Sequence, residues 1–285
     1  MTVRVLQRGF NFSQDGPGNR LVVHLQGCSM RCPWCSNPES VAAEGCIMAA
    51  SPAADALCPK GMVHGGVPDA AACAACEKPC LASRSRELRL SCETVSAEEL
   101  LREIRSSVPL FFDGGGVTFT GGEATMQFDA LFFLLCTLHG EGIHTALETN
   151  GSHPRLAELL PFIDHLIVDV KHWNDEAHRR VIGCSNRQTI ANLALAARER
   201  AQLAVRIPLI GGFNDTADDA RAFARLLSCL RETHTTEVLR YHEYGKDKWK
   251  QCGMDYAMHD AFVSDETYDA FCGILRDSSL SLVHT

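Results

Sequence analysis

From Ser96 to the C-terminus the chain alternates apolar runs of strand length with helix-length segments, and that alternation constrains the fold most. Ser96 and Glu99 form a capping-box signature that opens a helix through about Ser106. Strands are expected at Val117–Thr120, Ile143–Glu148, His165–Val170, Leu203–Leu209 and Thr236–Tyr241. Between and after them come a long apolar helix closed by Gly140, a helix near Leu156–Leu160, and helices near Asn186–Glu199, Ala217–Leu230 and Glu266–Leu275; the chain ends "LSLVHT". Upstream, Arg20–Gln26 reads as a buried strand that delivers the chain to Gly27. Six or more strands alternating with helices imply an α/β fold with a parallel sheet. Polar residues recur at the strand ends, which favours a full or partial β/α barrel over an open doubly wound sheet. In a barrel the chemistry sits at the C-terminal ends of the strands.

Between Cys46 and Cys92 the texture changes to Ala, Pro, Gly and Cys with no sustained apolar period. This stretch reads as an inserted module held by something other than a hydrophobic core. Nine of the 14 cysteines fall between Cys28 and Cys92. The other five are scattered singly and read as small core residues. No apolar run approaches the roughly 18 residues of a membrane span, and the N-terminus has no apolar signal segment. A cytoplasmic location is expected, where so many thiols indicate metal or redox chemistry rather than disulfides. The net charge of −8 argues against a nucleic-acid partner.

Cys28, Cys32 and Cys35 follow the first strand with C-x3-C-x2-C spacing. Three thiolates can hold three irons of a 4Fe–4S cube and leave the fourth iron open to a small molecule. The alternatives are a zinc site borrowing a distant ligand, or incidental cysteines. The spacing resembles the signature of the radical S-adenosylmethionine (SAM) enzymes. "DGPGNR", "GCSMRCPWCSNPES", "GGGVTFTGGEATMQ", "LETNG", "VDVKHWND", "VRIPLIGGFND" and "YHEYGKDKWKQCGMDYAM" occur in the order seen in glycyl-radical enzyme activating enzymes. The likeness runs from about Val5 to the end, and points to the pyruvate formate-lyase-activating-enzyme relatives that carry a ferredoxin-like insert.

That resemblance implies a partial (β/α)6 TIM-type barrel over residues 1–44 and 93–285, with a ferredoxin-like module over 45–92. It implies an oxidoreductase that cleaves SAM reductively and removes a hydrogen atom from a glycine Cα of a partner glycyl-radical enzyme. Cys28, Cys32 and Cys35 would hold the cluster. Gly121, Gly122 and Glu123 of "TGGE" would hold the SAM amino group; without the family this is equally a turn. Glu148 and Thr149, with Asp169 and Lys171, end two strands where charges are costly unless paired or functional. In the family they lie near the SAM carboxylate, at a monovalent cation in some members. Relatives often carry Asp where this chain has Glu148.

Arg206, inside an apolar strand, suits the SAM carboxylate. His242 matches a histidine that contacts SAM, and Trp34 a residue that touches adenine or simply packs. Asp15 and Arg20 are placed near the channel for the partner's glycine loop. "DGPG" itself has neither the spacing nor the following helix of a phosphate loop.

In the insert, Cys58 with Cys73, Cys76 and Cys80 is the expected ligand set of one auxiliary 4Fe–4S cluster, with Cys46 in reserve and Cys92 a bystander. The doubled ferredoxin pattern would need eight cysteines. Reduced flavodoxin or ferredoxin is the expected electron donor, and a monomer the expected state. The rival readings are a radical SAM enzyme acting on a small molecule, or a non-catalytic Fe–S or zinc protein.

Overall fold

The computed structural model describes residues 1–11, 14–199, 202–230 and 234–283. The chain opens with strands β1 (Thr2–Asn11) and β2 (Arg20–Leu25). The insert region follows: β3 (Ile47–Ala49), β4 (Val63–His64), β5 (Val67–Pro68), α1 (Ala70–Ala74) and β6 (Leu88–Leu90). After β7 (Glu93–Ser96) come α2 (Ala97–Ser107), β8 (Gly116–Gly121), α3 (Phe128–Gly140), β9 (Thr145–Thr149) and β10 (His165–Asp169). The rest is α4 (Asp175–Ile182), α5 (Arg187–Glu199), β11 (Leu203–Leu209), α6 (Ala217–Ser228), β12 (His234–Arg240), α7 (Lys246–Gln251), α8 (Asp265–Asp277) and β13 (Leu282–Val283).

Nine strands form one sheet in the order β13-β12-β11-β10-β9-β8-β2-β1-β7. From β2 to β13 every neighbouring pair is parallel. Only β1, against β2 and β7, is antiparallel. The expected α/β fold with a parallel sheet is therefore present, each strand from β8 to β13 joining at the same edge. The capping box at Ser96 and Glu99 is formed, with Glu99 N–H bonded to Ser96 Oγ at 3.1 Å and Ser96 N–H to the Glu99 carboxylate at 2.8 Å.

Alternation along the strands divides the sheet into two faces. Leu21, Val23, Phe119, Leu147, Val168, Val205 and Ile207 enter one large core with α2, α3, α5, α6 and α8. The residues between them, Arg20, His24, Thr118, Thr120, Glu148, Asp169, Arg206 and Glu237, lie on the other face. A strand buried under helices on both sides would read as uniformly apolar; these do not.

Three expectations need correction. Of the five scattered cysteines read as core residues, Cys252 and Cys272 are buried, Cys184 is half-buried, and Cys136 and Cys229 are exposed. The helix near Leu156–Leu160 is a pair of 3-10 turns, Leu156–Glu158 and Leu160–Phe162. Pro161 removes a backbone donor there and stops a continuous α-helix. The insert is not without a core: Ile47, Ala49, Ala54, Val63 and Leu88 pack with Cys73 and Cys80. The closing His284 and Thr285 lie outside the described residues. Among the described residues, no helix is long and apolar enough to cross a membrane.

The insert touches the rest of the chain at the end of α7. Gly253 has φ +69°, and a Cβ there would come within 1.8 Å of the Pro68 carbonyl oxygen. Gly253→Ala is thus expected to destabilise the protein by about 1–3 kcal/mol, read as a fall in thermal midpoint. An unchanged midpoint would show that the two backbones do not meet.

Candidate active site

The cluster loop leaves β2 at its C-terminal end and has no regular structure of its own, so other elements hold it. Gly27 N–H donates to the Ser40 carbonyl at 2.8 Å, and Cys28 N–H to that of Val41 at 3.2 Å. Arg31 N–H reaches the Ile182 carbonyl on α4 at 3.1 Å. From α7, Trp249 Nε1–H donates to the Cys35 carbonyl at 2.9 Å. Lys248 Nζ bonds Asn37 Oδ1 at 2.7 Å and pairs with the buried Glu39 at 2.8 Å.

The "TGGE" segment is stitched to the same loop. Gly122 N–H donates to the Leu25 carbonyl at 3.0 Å, and Glu123 N–H to that of Gly27 at 2.7 Å. A Cβ on Gly121 (φ +128°) would sit 2.3 Å from Leu25 O, and one on Gly122 2.5 Å from Gly27 O. Both glycines are needed for the approach of two strand ends, whatever else they contact.

Glu123 is buried, and its carboxylate is fully used. Oε1 accepts from Thr125 Oγ1 at 2.5 Å and Thr149 Oγ1 at 2.7 Å, while Oε2 accepts the Asn150 N–H at 2.7 Å. Burial raises its pKa against these bonds. The side chain thus locks the end of β9 to the end of β8. Asn150 Nδ2 is a buried donor with no partner at that same end.

Across the polar face runs an ionic belt. Arg206 Nη1 bonds Glu148 Oε1 at 2.6 Å, and its Nε bonds Glu237 Oε2 at 2.7 Å. Its Nη2 donates to the Gln14 carbonyl. Thr120 Oγ1 donates to Glu148 Oε2 at 2.8 Å, and Lys171 Nζ pairs with Asp169 at 2.7 Å. Three carboxylates therefore meet two cations. Burial pushes the Glu148 carboxyl up despite Arg206. Burial also opposes the charges of Lys171 and Arg206, but their carboxylate neighbours outweigh it and both pKa values stand above ordinary. The two carboxylates named for a monovalent cation, Glu148 and Asp169, are each paired with a protein cation.

Arg20 is buried and bonds the DGPG loop and the neighbouring strand β8, reaching Pro17 O at 2.8 Å, Thr118 Oγ1 at 2.8 Å and Val117 O at 2.9 Å. Thr118 in turn holds the Asp15 carbonyl at 2.6 Å. Trp34 packs against Phe213, with ring centroids 5.0 Å apart. His242 stacks on Tyr244 at 4.2 Å, and burial lowers its pKa.

In the insert, Cys58, Cys73, Cys76 and Cys80 line one cavity with Met62 and Lys78. Met62 N–H points to Cys58 Sγ at 3.2 Å and Lys78 N–H to Cys76 Sγ at 3.3 Å. Cys46 lies outside this cavity, 3.5 Å from Cys252 Sγ. Sequence reasoning missed Glu237, Glu39, Lys248 and Trp249. For Glu237 the signal was available, since it is a charge inside an apolar strand, like Arg206.

Residues 22–227 match the radical SAM superfamily. The chain is 31% identical over 261 residues to the choline trimethylamine-lyase activating enzyme of Oleidesulfovibrio alaskensis, covering 85% of this chain and 84% of that one. It is 32% identical over 279 residues to the isethionate sulfite-lyase activating enzyme of Nitratidesulfovibrio vulgaris, covering 89% and 88%. A radical SAM methyltransferase from Sphaerobacter thermophilus shares the fold, with TM-score 0.57 at 16% identity over 99% of this chain and 76% of that one. The chain belongs to the radical SAM superfamily and, within it, to the glycyl-radical enzyme activating enzymes, which generate a glycyl radical on a partner protein. The expectation drawn from the cysteine loop and its companion motifs is borne out.

A 4Fe–4S cluster and SAM come with that family. The donor set fits. The loop offers three free thiols, and the Met30 N–H is aimed at Cys28 Sγ at 3.4 Å. Among the described residues no three His, Cys, Asp or Glu are arranged to hold a single ion. A cube takes one thiolate per iron and so wants its ligands further apart.

Burial raises the thiol pKa values of Cys28 to about 11 and Cys32 to about 12, and raises that of Cys35 as well. Near neutrality these groups hold their protons, and iron must expel them. Cluster assembly in the apo protein is therefore expected to release protons and to quicken as pH rises from 6.5 to about 8.5. The growth of the iron–sulfur absorption, with proton release in weak buffer, checks this. A rate independent of pH would mean that the thiols are already ionised.

Proposed function

We propose that Cys28, Cys32 and Cys35 hold the SAM-cleaving cluster, and that SAM lies along the polar face of the sheet beside it. The observation that carries this reading is the three-thiol loop standing at the C-terminal end of β2, next to the ends of β8 and β9. Held by these three cysteines, a reduced cluster would supply the one electron that cleaves the S–C5′ bond of SAM, yielding methionine and a 5′-deoxyadenosyl group able to take a hydrogen atom from the partner's glycine. The residues of this chain bind and orient. Gly121 and Gly122 bring backbone carbonyls to the ammonium group of SAM, and Glu123 fixes the strand end that presents Thr149. Arg206 takes the carboxylate, with Lys171 and Asp169 nearby. His242 and Trp34 border the adenosine, and Asp15 lines the path of the glycine loop, with Arg20 holding that loop's base.

The sheet is read as a partial barrel spanning residues 1–44 and 93–285. Sequential strand order and helices on one face support this. The insert over 45–92 is read as a reduced ferredoxin-like module that carries one auxiliary 4Fe–4S cluster on Cys58, Cys73, Cys76 and Cys80. The shared cavity and the two N–H groups aimed at sulfur support it. Its role is electron relay from flavodoxin or ferredoxin, or docking of that donor. Fourteen free thiols suit a reducing cytoplasm, and a monomer suffices because every proposed ligand comes from one chain.

The test is anaerobic reconstitution with iron and sulfide, reduction and addition of SAM. 5′-Deoxyadenosine and methionine are expected, together with a protein glycyl doublet in electron paramagnetic resonance when the partner is present. Cys32→Ala should abolish cleavage. Cys73→Ala should lower iron content while leaving cleavage with a chemical reductant. Cleavage that survives Cys32→Ala overturns the cluster assignment, and cleavage without a glycyl signal on any partner favours a small-molecule substrate.

A further inference from the structure

We infer that Glu237 is a positioning residue that presents Arg206 to an anionic ligand. The inference rests on the reading of Arg206 as the partner of the SAM carboxylate.

Glu237 lies on β12 directly across from Arg206 in the parallel register. The pair is deeply buried, Glu237 being 4% and Arg206 5% exposed. Glu237 Oε2 accepts the single Nε–H of Arg206 at 2.7 Å, and Glu148 takes Nη1 at 2.6 Å. Only Nη2 meets an uncharged acceptor, the Gln14 carbonyl. That carbonyl belongs to the loop before β2, whereas the two carboxylates stand on strands. Charge-assisted bonds are roughly twice as strong as neutral ones. An incoming carboxylate therefore gains Arg206 most cheaply at Nη2, by displacing Gln14. Glu237 at Nε and Glu148 at Nη1 fix the guanidinium plane so that this edge is the one left to give.

Two facts separate Glu237 from a counter-charge placed only for stability. Glu148 is shared with Thr120 and has its carboxyl raised by burial, so it is the looser of the two anchors. Glu237 instead keeps Oε1 buried with no partner among the described residues. A buried unsatisfied oxygen is rare and calls for a reason. Glu237 meets Arg206 at Nε through one oxygen only and does not span the Nε–Nη2 edge as a side-on carboxylate would, which leaves Nη2 to the Gln14 carbonyl.

The test uses full-length protein reconstituted anaerobically, with SAM affinity read by calorimetry without reductant, so that no turnover enters. Glu237→Gln keeps an oxygen for Arg206 Nε and should bind SAM within about threefold of wild type. Glu237→Leu removes the acceptor and should weaken SAM by about tenfold or more, as losses of supporting partners do, at unchanged iron content. Glu237→Asp, which draws the acceptor back by one methylene, should fall between, and it carries the test if the leucine variant does not fold. Wild-type affinity in Glu237→Leu or Glu237→Asp overturns the inference. Equal loss in Glu237→Gln and Glu237→Leu also overturns it, because charge compensation alone would then explain both. Arg206→Ala separates the two levels: if it binds SAM normally, the assignment of Arg206 fails; if it loses SAM while the Glu237 variants do not, only the present inference fails.

Discussion

A guanidinium buried on the face of a sheet is a liability unless its neighbours answer it, and Arg206 sets terms for four strands. Glu148 on β9 and Glu237 on β12 take its charge, while Thr120 on β8 steadies Glu148. Asp169 on β10, its register neighbour, is held by Lys171. Removing one member of such a buried pair costs about 3–5 kcal/mol, because the survivor is left uncompensated. The belt also fixes register. Side chains alternate with period two, so a one-residue slip of β11 would drive Arg206 among the helices and turn Val205 and Ile207 outward. One interaction thus selects strand alignment and assembles the ionic face at the same time.

The three-cysteine loop poses the opposite problem. Its own bonds are local, such as Cys35 N–H to the Cys32 carbonyl at 3.1 Å and Arg31 Nη1 to the Cys28 carbonyl at 2.9 Å, so much of its shape is imposed from outside. The strand ends at Gly121 and Gly122 press on it from one side, α4 meets it through Arg31, and α7 covers Cys35 with Trp249. A loop fixed from several directions can keep one face open without collapsing, which a cluster with an exchangeable corner requires. The "YGKDKW" segment has a physical role on this view: Gly245 lets α7 lie against Ser36, where a Cβ would come within 2.5 Å, and Lys248 neutralises Glu39.

The strands and long helices were legible because their patterns are local: period two or period 3.6, with a cap at Ser96. Cys28, Cys32 and Cys35 were legible because their spacing is chemistry in itself. Arg206 and Glu148 could be flagged as charges in apolar runs, but their pairing could not, since register between distant strands is written nowhere in either segment. Glu123 and Arg20 show the same limit. The resemblance implied that Glu123 meets SAM and that Arg20 lies near the partner's channel, and the structure shows both bonded to backbone and neighbouring side chains. α7 escaped because six residues with three lysines carry no apolar period.

The insert completes the logic. Modules this small rarely stabilise themselves by apolar burial alone, and here two of the four clustered cysteines, Cys73 and Cys80, are themselves core residues. Burial raises the thiol pKa of Cys73 to about 11 and raises that of Cys80 as well. Ligation would place metal–sulfur bonds at the centre of the same apolar cluster. Stability of the insert and occupancy of its cysteines are then one quantity. The insert meets the rest of the chain at the seam where Gly253 meets Pro68 and Cys252 meets Cys46. Since α7 carries that seam at its C-terminal end and its Trp249 donates to the Cys35 carbonyl, this short helix joins the insert to the three-cysteine loop.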